Sequence, residues 1–157
     1  TRRQFLDWGV FHVEHGFHAV WLDVQKALRQ RNALLRNARI APDQIEAWDV
    51  HLGARSDELD TFRRSYFEAF CPQFASTLRD LASLEDVELS YYRGWDRDAS
   101  IRDVLREGLK RDHERGFTVQ GPHRADIRVR VRGQSAEART MRVNCRARLR
   151  NGASAIQ

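Results

Sequence analysis

Arginines recur along a predicted helix and just after it, where they could follow a phosphate backbone. The group consists of Arg29, Arg31, Arg36 and Arg39. Guanidinium groups supply much of the sequence-independent affinity for nucleic acids, because they displace counterions from the phosphates. Arg63 and Arg64 could act in the same way, but acidic residues are interleaved with them. A solvated helix face with intrahelical ion pairs explains these patterns at least as well, so DNA contact and a solvated face remain alternatives.

Three histidines at three-residue intervals raise the question of a metal site. His12, His15 and His18 are separated by short segments, with Glu14 among them. Residues three apart are neighbours on a helix, so adjacent members could share a metal ion. The stretch spans a predicted helix start, and no further ligand lies nearby in the sequence. Partial burial or a solvated helix start is favoured, and we predict no metal site.

The 157 residues contain no motif of a self-contained catalytic site. Lys26 and Lys110 lack the glycine-rich context of a phosphate-binding loop, and no Gly-x-Ser-x-Gly nucleophile motif occurs. Cys71 lies close to Phe70 and Phe74, which favours an inert thiol in the core. We therefore predict no catalytic residue.

The hydrophobic pattern predicts two long amphipathic helices that form an antiparallel hairpin. The first runs from about His15 to Arg36, with apolar residues at three- and four-residue steps. The second begins at Pro42, a residue that suits the first turn of a helix, and continues to about residue 84. Pro72 lies inside it and predicts a kink. Two such helices joined by a short polar turn form a coiled-coil-like arm.

The segments around this hairpin show mixed patterns. Residues 5–13 are aromatic-rich and interrupted by a glycine, which predicts a short strand or a packed loop. Alternating apolar residues predict strands over 87–91 and 127–131, the second with arginines on its open face. A third amphipathic helix is predicted from Ile101 to near Gly116. The fold class is therefore α+β.

The net charge of +5 comes mainly from the end of the chain. Residues 1–140 hold 23 of the 27 basic residues and all 22 acidic residues, so their net charge is only +1. The basic composition is therefore not an argument for nucleic acid binding. No apolar run predicts a membrane span, no signal peptide is recognisable and only two cysteines occur, so we expect a soluble, cytoplasmic protein.

Four segments, in collinear order, resemble the RecF family, which consists of bacterial recombination and gap-repair ATPases related to the SMC proteins. Together with the long helix that carries Asp57, Arg63 and Tyr66, they cover about residues 3–137. The segments are RQFLDWGVFHV at 3–13, ALRQRN at 27–32 followed by Leu35, YYRGW at 91–95 and GPHRAD at 121–126.

The resemblance implies an ATPase head built from two distant parts of the chain, with the helical hairpin arm inserted between them. The expected organisation is a leading head segment at 1–14, the arm at 15–84, a linking strand and helix at 85–116 and a returning head strand at 117–140. The chain would then combine the arm with a partial α/β ATPase-head element. Arg124 and Asp126 are expected near the nucleotide lobe, and a salt bridge at a strand edge is the alternative for this pair.

The functional expectations also come from the resemblance. The family binds ATP with Mg²⁺, forms an ATP-dependent homodimer and binds single- and double-stranded DNA. It cooperates with RecO and RecR in loading recombinase at single-strand gaps. The family's phosphate-binding loop lies upstream of the matched residues, so this chain is expected to be a piece that holds no cofactor and hydrolyses no ATP by itself.

The chain departs from the family pattern after Thr140. The family carries a Ser-x-Gly-Gln signature there and an acidic motif beyond it, whereas residues 141–157 are rich in Arg, Ala and Gly. A shifted reading frame would produce such an ending, so we predict a non-native tail over 141–157. The rival hypothesis is a stand-alone helical-hairpin module that binds neither nucleotide nor DNA and docks a partner protein through the apolar stripe from Ile45 to Leu81.

Overall fold

The computed structural model describes residues 1–82 and 87–131. Its elements are α1 (Arg2–Val13), α2 (Phe17–Leu35), α3 (Pro42–Ala82), β1 (Val87–Tyr92), α4 (Ile101–Glu107), α5 (Leu109–Arg115), a short 3₁₀ helix (Pro122–Arg124) and β2 (Asp126–Val131). Two long helices and a small sheet confirm the predicted α+β class. The predicted tail at 141–157 lies outside the described residues.

The long helices α2 and α3 form the predicted hairpin. The buried residues Ile45, Leu52 and Leu59 of α3 follow each other at intervals of seven, the repeat of a coiled-coil seam. Leu52 and Leu59 belong to the same core as Val24 and Leu28 of α2. Burying each such side chain contributes about 1.5–3 kcal/mol. This part of the stripe is therefore covered within the chain itself, which contradicts its use as a docking surface.

Helix α3 continues through Pro72, as the sequence predicts. Proline has no backbone N–H, so the usual bond to the carbonyl of Glu68 cannot form there. The kink stays a prediction.

Residues 2–13 form a helix, so the predicted strand or loop at 5–13 is wrong. Thr1 caps the helix: its hydroxyl accepts from the backbone N–H of Gln4, and the side chain of Gln4 accepts from the amino group of Thr1. This reciprocal arrangement satisfies free donors at the helix start. Gly9 fits inside the helix because the ring of Tyr66 packs against it, where a Cβ atom would lie 2.8 Å from Tyr66 Cε1.

The two predicted strands pair with each other in an antiparallel sheet. Val87 lies opposite Val131, and Tyr92 lies opposite Asp126. Between the strands, the predicted third helix is divided into α4 and α5 at Gly108, which caps both. Gly116 ends α5 near the predicted position, with a left-handed φ of 71° that suits glycine.

One hydrophobic core joins elements from both ends of the described chain. It includes Leu6 of α1, Leu59 of α3, Trp95, Leu105 of α4 and Ile127 of β2. The predicted leading segment, arm, link and returning strand thus all contribute side chains to it. Their boundaries as domains remain a prediction.

A buried arginine connects the helices that surround this core. Arg31 has no exposed surface. Its Nε donates to Asp49 Oδ1 at 2.6 Å, and its Nη1 donates to Asp112 Oδ2 at 2.7 Å and to Thr118 Oγ1 at 2.9 Å. Its Nη2 donates to the carbonyl oxygen of Leu105 at 3.2 Å. Burial raises the pKa of Asp49, and the hydrogen bond from Arg31 opposes this shift. Arg31 therefore ties α2 to α3, α4, α5 and the segment after α5.

We predict that Arg31→Met lowers the free energy of unfolding by about 3–5 kcal/mol, because two buried carboxylates lose their cation. Urea unfolding followed by circular dichroism measures this change. Arg29→Met on the exposed face of the same helix is the control, with an expected effect within about 0.5 kcal/mol. Equal effects of the two substitutions would contradict a structural role for the Arg31 network.

Candidate functional site

The segment from Gly121 to Asp126, named the 121–126 loop, is held by arginines from α1 and α3. Arg63 Nη1 donates to the carbonyl oxygen of Pro122 at 2.8 Å. Arg3 donates to the carbonyl oxygen of His123, and Arg2 pairs with the carboxylate of Asp126 through two nitrogens. The loop is therefore fixed to α1 and α3 through both its backbone and its side chains.

Arg63 is itself oriented by a carboxylate from α1. Its Nε and Nη2 donate to the two oxygens of Asp7 at 2.8 and 3.0 Å, a bidentate geometry that fixes the guanidinium plane. Only 2% of Arg63 is exposed. Arg63 cannot contact a phosphate in this arrangement, because its guanidinium group is buried and bound to other residues of the protein. Asp7 and Arg63 lie 56 residues apart, so no local pattern could reveal the pair.

Two glycines bring the 91–95 segment against the 121–126 loop. The backbone N–H of Gly121 donates to the carbonyl oxygen of Gly94 at 3.1 Å. Both residues have positive φ angles, 107° for Gly94 and 144° for Gly121, which favour glycine. A Cβ atom at Gly94 would lie 2.9 Å from the carbonyl carbon of Gly121. Two further segments that carry the family resemblance therefore contact the 121–126 loop, which is itself such a segment. They are 3–13 and 91–95.

His123 lies inside the same cluster. Its Nε2 is 3.0 Å from the carbonyl oxygen of Thr118, and its Nδ1 is buried without a hydrogen-bond partner. Burial, together with the nearby Arg124, lowers the pKa of the imidazole to about 4. The side chain is therefore neutral at physiological pH, and Nε2 carries the proton that Thr118 accepts.

Arg124 and Asp126 do not pair with each other. Arg124 is exposed, and its Nε donates to the carbonyl oxygen of Val119 at 3.2 Å. Asp126 pairs with Arg2 of α1 instead. A salt bridge between Arg124 and Asp126, the alternative for this pair, is therefore not formed. A role for Arg124 and Asp126 near a nucleotide stays a prediction.

The arginines predicted to contact DNA divide into two classes. Arg29, Arg36 and Arg39 are exposed, and none of their side chains forms an ion pair within residues 1–82 and 87–131. Lys26, one turn before Arg29, is also exposed and unpaired within these ranges. Arg31 is buried and committed to the internal network, so it cannot reach a phosphate in this structure.

Tyr91 and Asp60 form a polar contact that the sequence did not indicate. The hydroxyl of Tyr91 donates to Asp60 Oδ1 at 2.9 Å, and Arg64 donates to the other oxygen. Burial raises the pKa of the Tyr91 phenol. Arg64 is thus an intrahelical partner of Asp60, as the alternative of a solvated, paired face indicates.

The three histidines at 12, 15 and 18 and the cysteine at 71 were considered above as a metal site and a reactive thiol. His12 lies on α1, with Nδ1 at 2.8 Å from the carbonyl oxygen of Trp8, and His15 and His18 are exposed. The described residues contain no group of three potential metal ligands. Cys71 is half-buried, and burial raises the pKa of its thiol, which favours the protonated form.

We predict that acidification from pH 7 to pH 4.5 destabilises the protein by ~2 kcal/mol through His123 alone. The unfolded chain binds a proton at this residue below about pH 6.5, whereas the folded chain excludes it down to about pH 4. Stability from this residue is therefore lost as the pH falls through that window. Urea unfolding at both pH values, compared between the parent and His123→Gln, isolates this contribution.

His12→Gln is the matched control, because His12 is exposed. It should retain the full pH dependence of the parent. The explanation fails if His123→Gln and His12→Gln lose the same stability on acidification.

The comparisons with known proteins converge on one family. The chain is 55% identical over 135 residues to "DNA replication and repair protein RecF" of Pseudomonas paraeruginosa strain PA7, and 51% identical over 136 residues to the protein of that name from Azotobacter vinelandii. These alignments cover 86% and 87% of this chain, but 37% of each relative. The chain thus spans little more than a third of the length of the curated relatives it matches.

Two solved structures share the fold of this chain. A solved structure of "the recombination mediator protein RecF-ATP in RecFOR pathway" superposes with a TM-score of 0.75 at 21% identity, covering 83% of this chain and 38% of that one. A related structure of RecF-ATPrS has the same TM-score, at 22% identity, and covers 85% of this chain. No family model matches the chain. Over 86% of its length, the chain is therefore similar to one part of the RecF proteins.

Proposed function

We propose that the chain is part of a RecF-type protein of DNA replication and repair, one that binds DNA and ATP and helps to load recombinase at single-strand gaps. The observation that carries this proposal is the 55% identity over 135 residues to the Pseudomonas paraeruginosa protein. The meeting of three resemblance segments at the 121–126 loop supports it, because residues distant in sequence converge on one place.

In this proposal the 121–126 loop faces the nucleotide side of the whole protein. The loop is fixed by Arg3 and Arg63, so it needs no reordering when a ligand approaches. Arg124 uses only its Nε within the described residues, which leaves the two Nη groups for a phosphate. Asp126 is held by Arg2 and would keep the start of β2 in place beside it. The phosphate-binding loop and the acidic Mg²⁺ motif belong, in this proposal, to parts that the 157 residues do not contain.

The exposed face of α2 is the proposed DNA contact. Arg29 and Arg36 are two turns apart on one face, about 10.5 Å along the axis at 1.5 Å per residue. Lys26 lies one turn before Arg29, and Arg39 lies in the segment that follows the helix. Because these cations are unpaired within the described residues, binding a phosphate would break no existing ion pair. Counterion release would supply the affinity, without preference for base sequence.

The same relationship leads us to propose an ATP-dependent homodimer, RecO and RecR as partners and a cytoplasmic location. The solved structures of RecF-ATP and RecF-ATPrS in the RecFOR pathway support this cofactor and these partners. Among the described residues, no helix is both long and apolar enough to cross a membrane.

A chimera tests the proposal in a full-length protein. The matched residues of this chain replace the corresponding 135 residues of the Pseudomonas paraeruginosa RecF. We predict that the chimera binds ATP and gapped DNA with affinities close to those of the unmodified relative. Arg29→Ala, Arg36→Ala and Arg39→Ala together should weaken DNA binding at least about tenfold and reduce its salt dependence by about two released counterions. Fluorescence anisotropy at several salt concentrations measures both.

The control removes the same charge elsewhere. Arg97, Arg102 and Arg106 are exposed outside α2, and their replacement by alanine should leave DNA binding nearly unchanged. Equal losses in the two triple variants would refute the α2 contact. A folded chimera that binds neither ATP nor DNA would refute the proposed function.

A further inference from the structure

Helix α1 is apolar on both of its faces. The inner face buries Leu6 and Val10 completely. The outer face carries Phe5, Trp8 and Phe11, whose exposed fractions are 49%, 63% and 50%. Large aromatic side chains on a helix surface are normally covered by another element, and here only the inner face of α1 is covered.

The exposed aromatic residues continue onto α3. The rings of Phe5 and Phe70 are 5.7 Å apart in an edge-on arrangement, and Phe70 contacts Phe74 at 5.3 Å. Phe70 and Phe74 are half-buried. Phe5, Trp8, Phe11, Phe70 and Phe74 together are named the aromatic surface. Contiguous apolar surfaces of this kind mark interaction sites, whereas isolated exposed apolar residues do not.

The sheet beside α1 is also incomplete. Within the described residues β1 and β2 pair only with each other, so the outer edge of each strand lacks a partner strand. Two-stranded sheets are marginal in water, and open edges invite further strands. The ion pair between Arg2 and Asp126 joins the start of α1 to the start of β2. The uncovered helix face and the open sheet therefore belong to neighbouring elements.

We propose that the aromatic surface is the contact with the remainder of the RecF-type fold, meaning the portion of the relatives that this chain does not match. This inference rests on the proposed function. The relatives have most of their length outside the matched region, since the chain covers 37% of them. In our proposal, the unmatched part of the protein covers the outer face of α1 and adds strands to the sheet of β1 and β2. A single folded unit with strands and an apolar layer would do both. A second copy of this chain is the alternative occupant, and the dimer measurement below distinguishes it.

Fluorescence quenching of Trp8 tests the contact directly. Iodide quenching is measured in this chain and in the chimera described above, and the emission of Trp8 is isolated by subtracting the signal of the matching Trp8→Phe variant. We expect quenching of Trp8 to fall several-fold from the chain alone to the chimera, because the remainder of the protein covers the ring. Unchanged quenching in a folded chimera would overturn the inference.

Substitutions supply a second readout. Trp8→Glu and Phe11→Glu should leave the stability of the chain alone nearly unchanged but lower the melting temperature of the chimera clearly. Val50→Glu is the matched control, because Val50 is an exposed apolar residue, 42% accessible, on the distant part of α3. Its effect should be equally small in both proteins. Equal effects of Trp8→Glu and Val50→Glu in the chimera would count against the contact.

Two further outcomes would assign the surface to another occupant and overturn the inference. One is a concentration-dependent dimer of this chain that Trp8→Glu abolishes, which would identify a second copy. The other is increased quenching of Trp8 in the chain after deletion of residues 132–157, which would identify that segment. The proposed function is judged separately, by ATP and DNA binding of the unmodified chimera, so the two can fail independently.

Discussion

The structure depends on the cost of burying a guanidinium group. Arg31 lies in the centre of the packed helices without access to water, and an unpaired charge there would cost several kcal/mol. Asp49, Asp112, Thr118 and the carbonyl of Leu105 must therefore reach it together. Apolar contacts alone would tolerate small shifts of one helix along another. Directed hydrogen bonds from one planar guanidinium group do not. The Arg31 network thus sets the register of α2 against α3, α4 and α5.

A second buried guanidinium extends this constraint to the candidate site. Arg63 joins Asp7 of α1 to the carbonyl of Pro122, so the loop that follows α5 is placed by helices far from it in sequence. The position of this loop therefore depends on the helical packing as well as on the loop's own residues. Gly94 and Gly121 complete the arrangement by allowing backbone contact at the one place where a Cβ atom would prevent it.

The sequence predicts those parts of the fold that depend on periodicity. Apolar residues at three- and four-residue steps were sufficient for α2 and α3, and alternation was sufficient for both strands. It failed at α1, where Gly9 and the abundance of aromatic residues obscured the helical pair Leu6 and Val10. The reason is tertiary: Gly9 makes room for Tyr66, and the aromatic residues face outwards.

The candidate site was less predictable, because its ion pairs join residues far apart. Arg31 was grouped with the exposed arginines by residue type, although it continues the apolar spacing of Val24, Leu28 and Leu35 on the inner face of α2. This spacing was the sequence feature that could have indicated that Arg31 is buried. The partners of Arg31 lie 18 and 81 residues away, and no spacing rule reaches them.

Charged residues usually lie on the surface and aromatic residues in the interior. Two arginines and two aromatic residues of this protein do the opposite. Arg31 and Arg63 are charged residues in the interior, and each has a complete set of partners there. Trp8 and Phe11 are aromatic residues on the surface, and within residues 1–82 and 87–131 their rings pair with those of His12 and His18. The pairing of these two buried guanidinium groups shows that the helices around them are closely packed, so the outward aromatic residues do not result from loose packing there. They are a surface for contact with a further apolar layer, and this is why we relate the outer face of α1 to the rest of a RecF-type protein.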